Sequence, residues 1–291
     1  MLLAVHNSRE FAPDSNANEA TNTLSRCLQV FTTVRFFSDV AYAATFEQKD
    51  PFYVIKFKDD GAPEVKGELD DIAGFSSYLH PVNSDNSKLI AVGQYADDEG
   101  FALGIQISLF DATDPLKPLL IANHIEEKDE NTYSSSDAQW EYKSVRYLRI
   151  DDNRGRLIMP LTIWVWEPII FEPEFFGEDQ AGRVNVTDAA SSASAAVAPS
   201  SGNFDGFVVF AVEDNKIYRQ FYISHDDQTV KYTEGCWSCG WLEARSFVFS
   251  GDVVTMKGQL IHRTDLDIQD GEPPVWTTNI VNDAGIECCG Q

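Results

Sequence analysis

Residues 104–122 read GIQISLFDATDPLKPLLIA: an apolar run, an Asp-x-x-Asp-Pro turn, and a second apolar run opened by Pro118. Asp111 closes the first run, where its carboxylate can accept backbone amides two residues on. Pro115 and Pro118 fix φ so that the chain reverses. The stretch predicts two adjacent antiparallel strands. Residues 56–65, KFKDDGAPEV, make the same reversal with Asp59, Gly61 and Pro63.

Working outward, this pair of runs is the second half of a four-run unit that recurs. The first unit reads QVFTTVRFF, DVAYAATFE, FYVIKF and EVKGEL; the second reads FSSYLHPV, KLIAVGQY, GIQISLFD and PLLIANHI. The third reads EYKSVRYLRI, GRLIMPLTIWVW, GFVVFAVE and KIYRQFYIS, and the fourth EARSFVFS, GDVVTMKG, QLIHRTDL and VWTTNIV. Each run is rich in β-branched and aromatic residues, about strand length, and bounded by Asp, Asn, Gly or Pro. The third runs start near Phe52, Ile105, Phe207 and Leu260, at separations of 53, 102 and 53 residues. The doubled interval contains residues 167–204, where EPIIFEPEFFGEDQ leads into DAASSASAAVAPSSG, and reads as a loop inserted between the second and third strands of one unit. A four-strand unit repeating at about 45 to 50 residues is the mark of a β-propeller. The expected fold is all-β, with about four four-stranded antiparallel blades at 29–73, 74–136, 137–235 and 236–287, and helix is expected to be negligible. Residues 1–28 are polar and expected to be disordered, and residues 288–291 form a Cys-containing tail.

The 291 residues carry 22 Lys and Arg against 46 Asp and Glu, a formal charge of -24 and a pI near 4.4. Such a surface repels phosphate backbones and anionic headgroups, so nucleic acid is not an expected partner. No apolar run approaches the ~20 residues that span a bilayer, and no membrane insertion is expected. The opening MLLAVHNSREF lacks the features of a secretory signal, so an export address is expected outside these residues.

Several phrases, from ATFEQKDPFYVIKFKDDGAPEVKGEL through GFSSYLHPV, AVGQYADDEG, GIQISLFDATDP and FYISH to EARSFVFSGDVVTM, closely resemble a family of secreted proteins with a C-terminal β-propeller domain distantly related to WD40 repeats. The resemblance runs in order from about residue 30 to about 268. It implies a propeller fold and an extracellular setting, and carries no catalytic or ligand-binding residues. Family domains are usually longer, which implies that these blades are either the C-terminal part of a larger propeller or a truncated gene product.

Candidate sites are few. Cys27 stands alone, while Cys236 and Cys239 in CWSC and Cys288 and Cys289 in ECCGQ offer four thiols. They could form a tetrahedral zinc set, a disulfide pinning the tail to the last blade, or reduced thiols; adjacent cysteines make poor ligands of one metal. Asp97, Asp98 and Glu99 in QYADDEG concentrate three carboxylates that could hold Ca²⁺, or could simply form a solvated hairpin turn. His80 in YLHPV and His225 in YISHDD fall at corresponding strand ends, where they face the channel or rim, or bond a neighbouring strand. Asn185 in NVT is an N-glycosylation acceptor. The Phe171, Phe175 and Phe176 part of the insert is either a partner-binding arm or a segment folded over a blade edge.

The expected function is a noncatalytic binding platform, extracellular or at the cell surface, for a protein or glycan, with no required cofactor. A propeller hydrolase or lyase with Ca²⁺ in the central channel is the alternative reading, and an intracellular WD40-like scaffold is a third.

Overall fold

In the computed structural model the described residues are 30–46, 51–70, 72–96, 102–126, 131–165, 203–225, 244–257, 260–266 and 276–279. They form four sheets, each with four consecutive strands in hydrogen-bonded order. The first contains β1 (Val30–Phe37), β2 (Val40–Phe46), β3 (Phe52–Phe57) and β4 (Pro63–Leu69). The second contains β5 (Phe75–Pro81), β6 (Lys88–Ala96), β7 (Ala102–Asp111) and β8 (Leu119–Ile125). The third contains β10 (Arg146–Arg149), β11 (Arg154–Val165), β12 (Phe204–Glu213) and β13 (Lys216–Ser224), with the extra strand β9 (Thr132–Ser135) paired to β11. The fourth contains β14 (Arg245–Phe249), β15 (Asp252–Lys257), β16 (Leu260–Asp265) and β17 (Trp276–Asn279). All pairings are antiparallel. Helix among the described residues amounts to two 3-10 turns, Asp137–Gln139 and Tyr142–Ser144.

The central strands of the second and third sheets read as nearly continuous apolar runs because each buries both of its faces. In β6, Leu89 and Ala91 pack toward Phe52 and Val54 of the first sheet, while Ile90 and Val92 pack toward Leu157, Met159 and Phe210 of the third. A third seam, built on Phe207, Val209, Phe221 and Ile223, receives Val253 of the fourth sheet. Period-two alternation therefore separates two apolar neighbours rather than core from water. Stacked rings anchor the first seam: Phe52 and Phe110 lie 4.4 Å apart at 5°.

In the first three sheets the pairing of third and fourth strands carries a bulge, with Lys66, Ile121 and Gln220 as the extra residues. An extra residue increases local twist, which suits an outer strand that must bend away from its neighbour. The opening turn matches its reading: Asp111 Oδ1 accepts the Thr113 amide at 2.9 Å and Asp114 Oδ1 the Leu116 amide at 3.0 Å. In the corresponding turn of the first sheet the carboxylate that accepts an amide is Asp60, from Ala62 at 2.9 Å, and not Asp59; Gly61 takes φ +80°.

The third unit departs from its simple reading. Of the run 141–150, only Arg146–Arg149 is extended, while Tyr142–Ser144 coils. The inner edge of the long β11 is instead shared, Arg146–Arg149 pairing with Gly155–Ile158 and Thr132–Ser135 with Thr162–Val165. Pro160 lies between the two paired stretches and has no amide to give a neighbour. Ser136 Oγ donates to the Pro160 carbonyl at 2.5 Å and accepts the Ala138 amide at 3.1 Å, starting the first 3-10 turn. The four residues of β9, in a stretch assigned to the second unit, thus join the third sheet, and Phe204, at the end of the expected insert, is the first residue of β12.

Candidate binding site at the inner edge

The first strand of each sheet has only one strand neighbour, apart from the shared edge of the third, so its other edge needs covering. Side chains from the preceding sheet do this. Thr32 Oγ1 on β1 donates to the Ser76 carbonyl of β5 at 2.6 Å, and Arg35 Nε donates to the Leu79 carbonyl at 2.7 Å. Arg146 on β10 reaches the Ser246 carbonyl of β14 at 3.5 Å. Between β5 and β10 the contact is made by rings, His80 against Tyr147 at 5.5 Å. The first strands are laced together into one inner wall.

His80 sits in the middle of that wall. Its Nδ1 lies 3.0 Å from the Tyr78 hydroxyl, and the Arg35 guanidinium lies 5.3 Å from the Tyr78 ring centre. Burial, reinforced by the charges of Arg35 and Arg146, pushes the His80 pKa down to about 4. The imidazole is therefore neutral at pH 7. Burial also raises the Tyr78 pKa, against the opposing charges of Arg35 and Arg146. The cations converge here from β1 and β10 onto β5, three successive sheets.

His225, read as facing the channel or rim or as bonding a neighbouring strand, lies buried in the seam between the third and fourth sheets. Its Nε2 is 2.9 Å from Thr255 Oγ1, and its ring meets His262 edge-on at 4.4 Å. Burial first, then the charges of His262 and Lys257, push its pKa down to about 2. The position has a repeat-related counterpart that sequence reasoning missed. The His225 amide donates to the Asp205 carbonyl at 2.8 Å, and the Glu126 amide donates to the Ile105 carbonyl at 2.9 Å, so each is the first residue past its outer strand.

The Glu126 side chain is fully buried between the second and third sheets. One of its oxygens faces His124 Nε2 at 2.9 Å; the other accepts from Arg219 at 2.7 Å and from the Tyr222 hydroxyl. Burial favours the neutral acid, but hydrogen bonds from His124 and Tyr222 and the Arg219 charge outweigh it and hold the pKa below the usual carboxylate value. In the sequence Glu126 opens the charged phrase EEKDE and looks like any solvated turn. Only its place immediately after an outer strand, matched to His225, could have singled it out.

Asp97, Asp98 and Glu99 lie outside the described residues, as do Asn185, Cys236, Cys239, Cys288 and Cys289. Among the described residues no group of three metal-ligating side chains converges, and no helix is long and apolar enough to cross a membrane.

Sheets joined at an inner edge and packed face to face in chain order are the geometry of propeller blades. The profile of the beta propeller domain family matches residues 29–268. The chain belongs to that family. Two curated relatives of this propeller are uncharacterized archaeal proteins. One, from Archaeoglobus fulgidus, is 34% identical over 128 residues, covering 44% of this chain and 18% of the relative. The other, MJ1554 of Methanocaldococcus jannaschii, is 42% identical over 85 residues, covering 29% of this chain and 12% of the relative. The propeller spans less than a fifth of these relatives' lengths, so the whole protein's activity and partners are matters of proposal. Among solved structures, a protein from Lactobacillus plantarum is 14% identical with a TM-score of 0.42, covering 86% of this chain and 58% of that one. The acylaminoacyl peptidase of Pyrococcus horikoshii is 11% identical with a TM-score of 0.36, covering 89% of this chain and 33% of that one.

Proposed function

We propose that this propeller is a noncatalytic binding platform of an extracellular or cell-surface protein, and that its ligand is a protein or a glycan. The observation that carries the reading is the use made of the buried ionisable groups. His225 and Glu126 join one blade to the next, Glu126 through the half-buried Arg219, whereas the inner edge presents cationic and aromatic side chains in and beside the first strands. A base that works on a substrate must reach it and titrate near the working pH. His225 is buried and neutral, and Glu126 is held charged by three partners. Both are suited to holding sheets in register.

The test is a screen of the purified chain against glycan and cell-surface protein arrays, followed by titration calorimetry on each hit. Saturable binding with the ligand recovered unchanged is the expected result. Turnover of a bound ligand, especially turnover that needs Ca²⁺ and is lost in Asp97→Asn or Asp98→Asn, would replace this reading with the hydrolase or lyase one.

A further inference from the structure

The charge of the inner wall is opposite to that of the molecule. Against a formal charge of -24, the strands β1, β5, β10 and β14 contain four arginines (Arg35, Arg146, Arg149 and Arg245), one histidine and no Asp or Glu. Arg245 is paired with Glu141 at 3.6 Å. Arg35 and Arg146 have no carboxylate partner among the described residues: one bonds a backbone carbonyl and lies over Tyr78, the other reaches a backbone carbonyl. Arg35 gives its Nε to that carbonyl and a further hydrogen bond to Tyr78, which still leaves guanidinium N–H groups for an outside acceptor. In a chain with 46 acidic residues, two guanidiniums without a carboxylate among the described residues, on either side of a neutral imidazole, are a place where an outside anion supplies the counter-charge.

Beside this wall the chain displays large aromatic side chains. The two 3-10 turns lead directly into β10, the first packing against β5 and the second against β14. Between and within them Trp140 and Tyr142 are 69% and 62% exposed, and Lys143 lies 5.7 Å from the Tyr142 ring centre. Exposed aromatic faces next to cations suit a ligand with a flat apolar surface and a negative group. A sugar ring bearing a carboxylate has both.

We infer that the inner edge of the second and third blades binds an acidic oligosaccharide, with Arg35 and Arg146 taking the carboxylate or sulfate and Trp140 or Tyr142 lying against a sugar ring. The inference rests on the binding-platform reading and names its ligand class. His80 serves as a neutral neighbour, positioned by Tyr78 and Tyr147.

The test is calorimetric titration of the purified chain with a uronic-acid oligosaccharide, its carboxyl-reduced neutral counterpart, a sulfated oligosaccharide and inorganic sulfate. The acidic oligosaccharides should bind, and Arg35→Gln and Arg146→Gln should each weaken them by about tenfold or more. Trp140→Ala or Tyr142→Ala should weaken oligosaccharide binding, while Arg263→Gln, on the third strand of the fourth sheet and paired with Asp252, should leave it unchanged. Arg35→Lys and Arg146→Lys keep the charge, and so preserve the test if a Gln variant fails to fold. Equal binding of the neutral oligosaccharide, or binding indifferent to both arginines, would overturn the anionic site and leave the platform reading standing. Inorganic sulfate binding without oligosaccharide binding would overturn the glycan assignment. Cleavage of the oligosaccharide would instead overturn the platform reading itself.

Discussion

At the scale of single residues, the seams are governed by buried polar side chains. Glu126 is the clearest: its carboxylate is out of water and held by three donors, so removing it leaves Arg219 and His124 facing an apolar seam. Glu126→Ala should destabilise by about 3 to 5 kcal/mol, and Glu126→Gln by less, as read by urea unfolding at pH 7. Leu119→Ala, at a 56% exposed position on β8, should cost well under 1 kcal/mol and serves as the comparison. The histidines set the acid limit. His80 and His225 are held at about 4 and about 2, below the ordinary 6.5. Below pH 6.5 the unfolded chain takes up protons that the fold refuses. Their contribution is therefore whole above pH 6.5, and it is lost toward pH 4 for His80 and further down for His225. Unfolding at pH 7 and pH 4.5 should differ by about 2 to 3 kcal/mol from His80 alone, and His80→Asn should abolish that part. An unchanged pH profile in the variant would show that His80 titrates normally.

At the scale of elements, the contact between neighbouring outer edges depends on a missing side chain. Gly67 on β4 lies where a Cβ would come within 2.3 Å of the Pro115 carbonyl and 2.8 Å of Pro118 Cδ. The Asp-x-x-Asp-Pro turn of the second sheet thus seats directly on the outer strand of the first. Backbone and a proline ring give way poorly, so Gly67→Val should wedge this seam and destabilise by about 1 to 3 kcal/mol. Gly61→Val, in open space but at φ +80°, should cost a comparable amount through backbone strain alone. The two are separable by hydrogen exchange: the first should raise exchange in both β4 and β8, the second only around the 58–63 turn. The strands themselves were legible because their residue types and turn chemistry agree locally. The split first strand of the third sheet was not, because EYKSVRYLRI alternates like a strand while Pro160 and Ser136, distant in sequence, decide which half extends.

At the scale of the whole molecule, the seams between successive sheets are built on apolar clusters, and the first and fourth sheets show aromatic side chains. Phe36 of the first is 57% exposed, and Phe247 and Phe249 of the fourth are 52% and 64% exposed. Apolar side chains clustered on a sheet face favour association, while a formal charge of -24 opposes it. Screening the charge should tip the balance. Sedimentation velocity of this chain should show mass increasing as salt is raised from ~20 mM to ~0.5 M, and Phe247→Ser with Phe249→Ser should suppress the increase. A single salt-independent species with the exposed phenylalanines intact would show that these faces do not drive association.

What the sequence determined by itself is the repeat: four units among the described residues, the place of most of their strands and the reversal at Asp111, because propensity, alternation and turn residues are local properties that recur at a fixed spacing. The tertiary structure alone decided which polar residues matter. Glu126 becomes a buried tie and His225 a seam residue because the first position beyond β8 and beyond β13 turns into the next blade. Arg35, His80 and Arg146 become neighbours because the first strands of separate units meet at one edge. Those contacts join residues 45 and 66 positions apart (from 35 to 80, and from 80 to 146), and their geometry depends on how sheets stack, which no local pattern encodes.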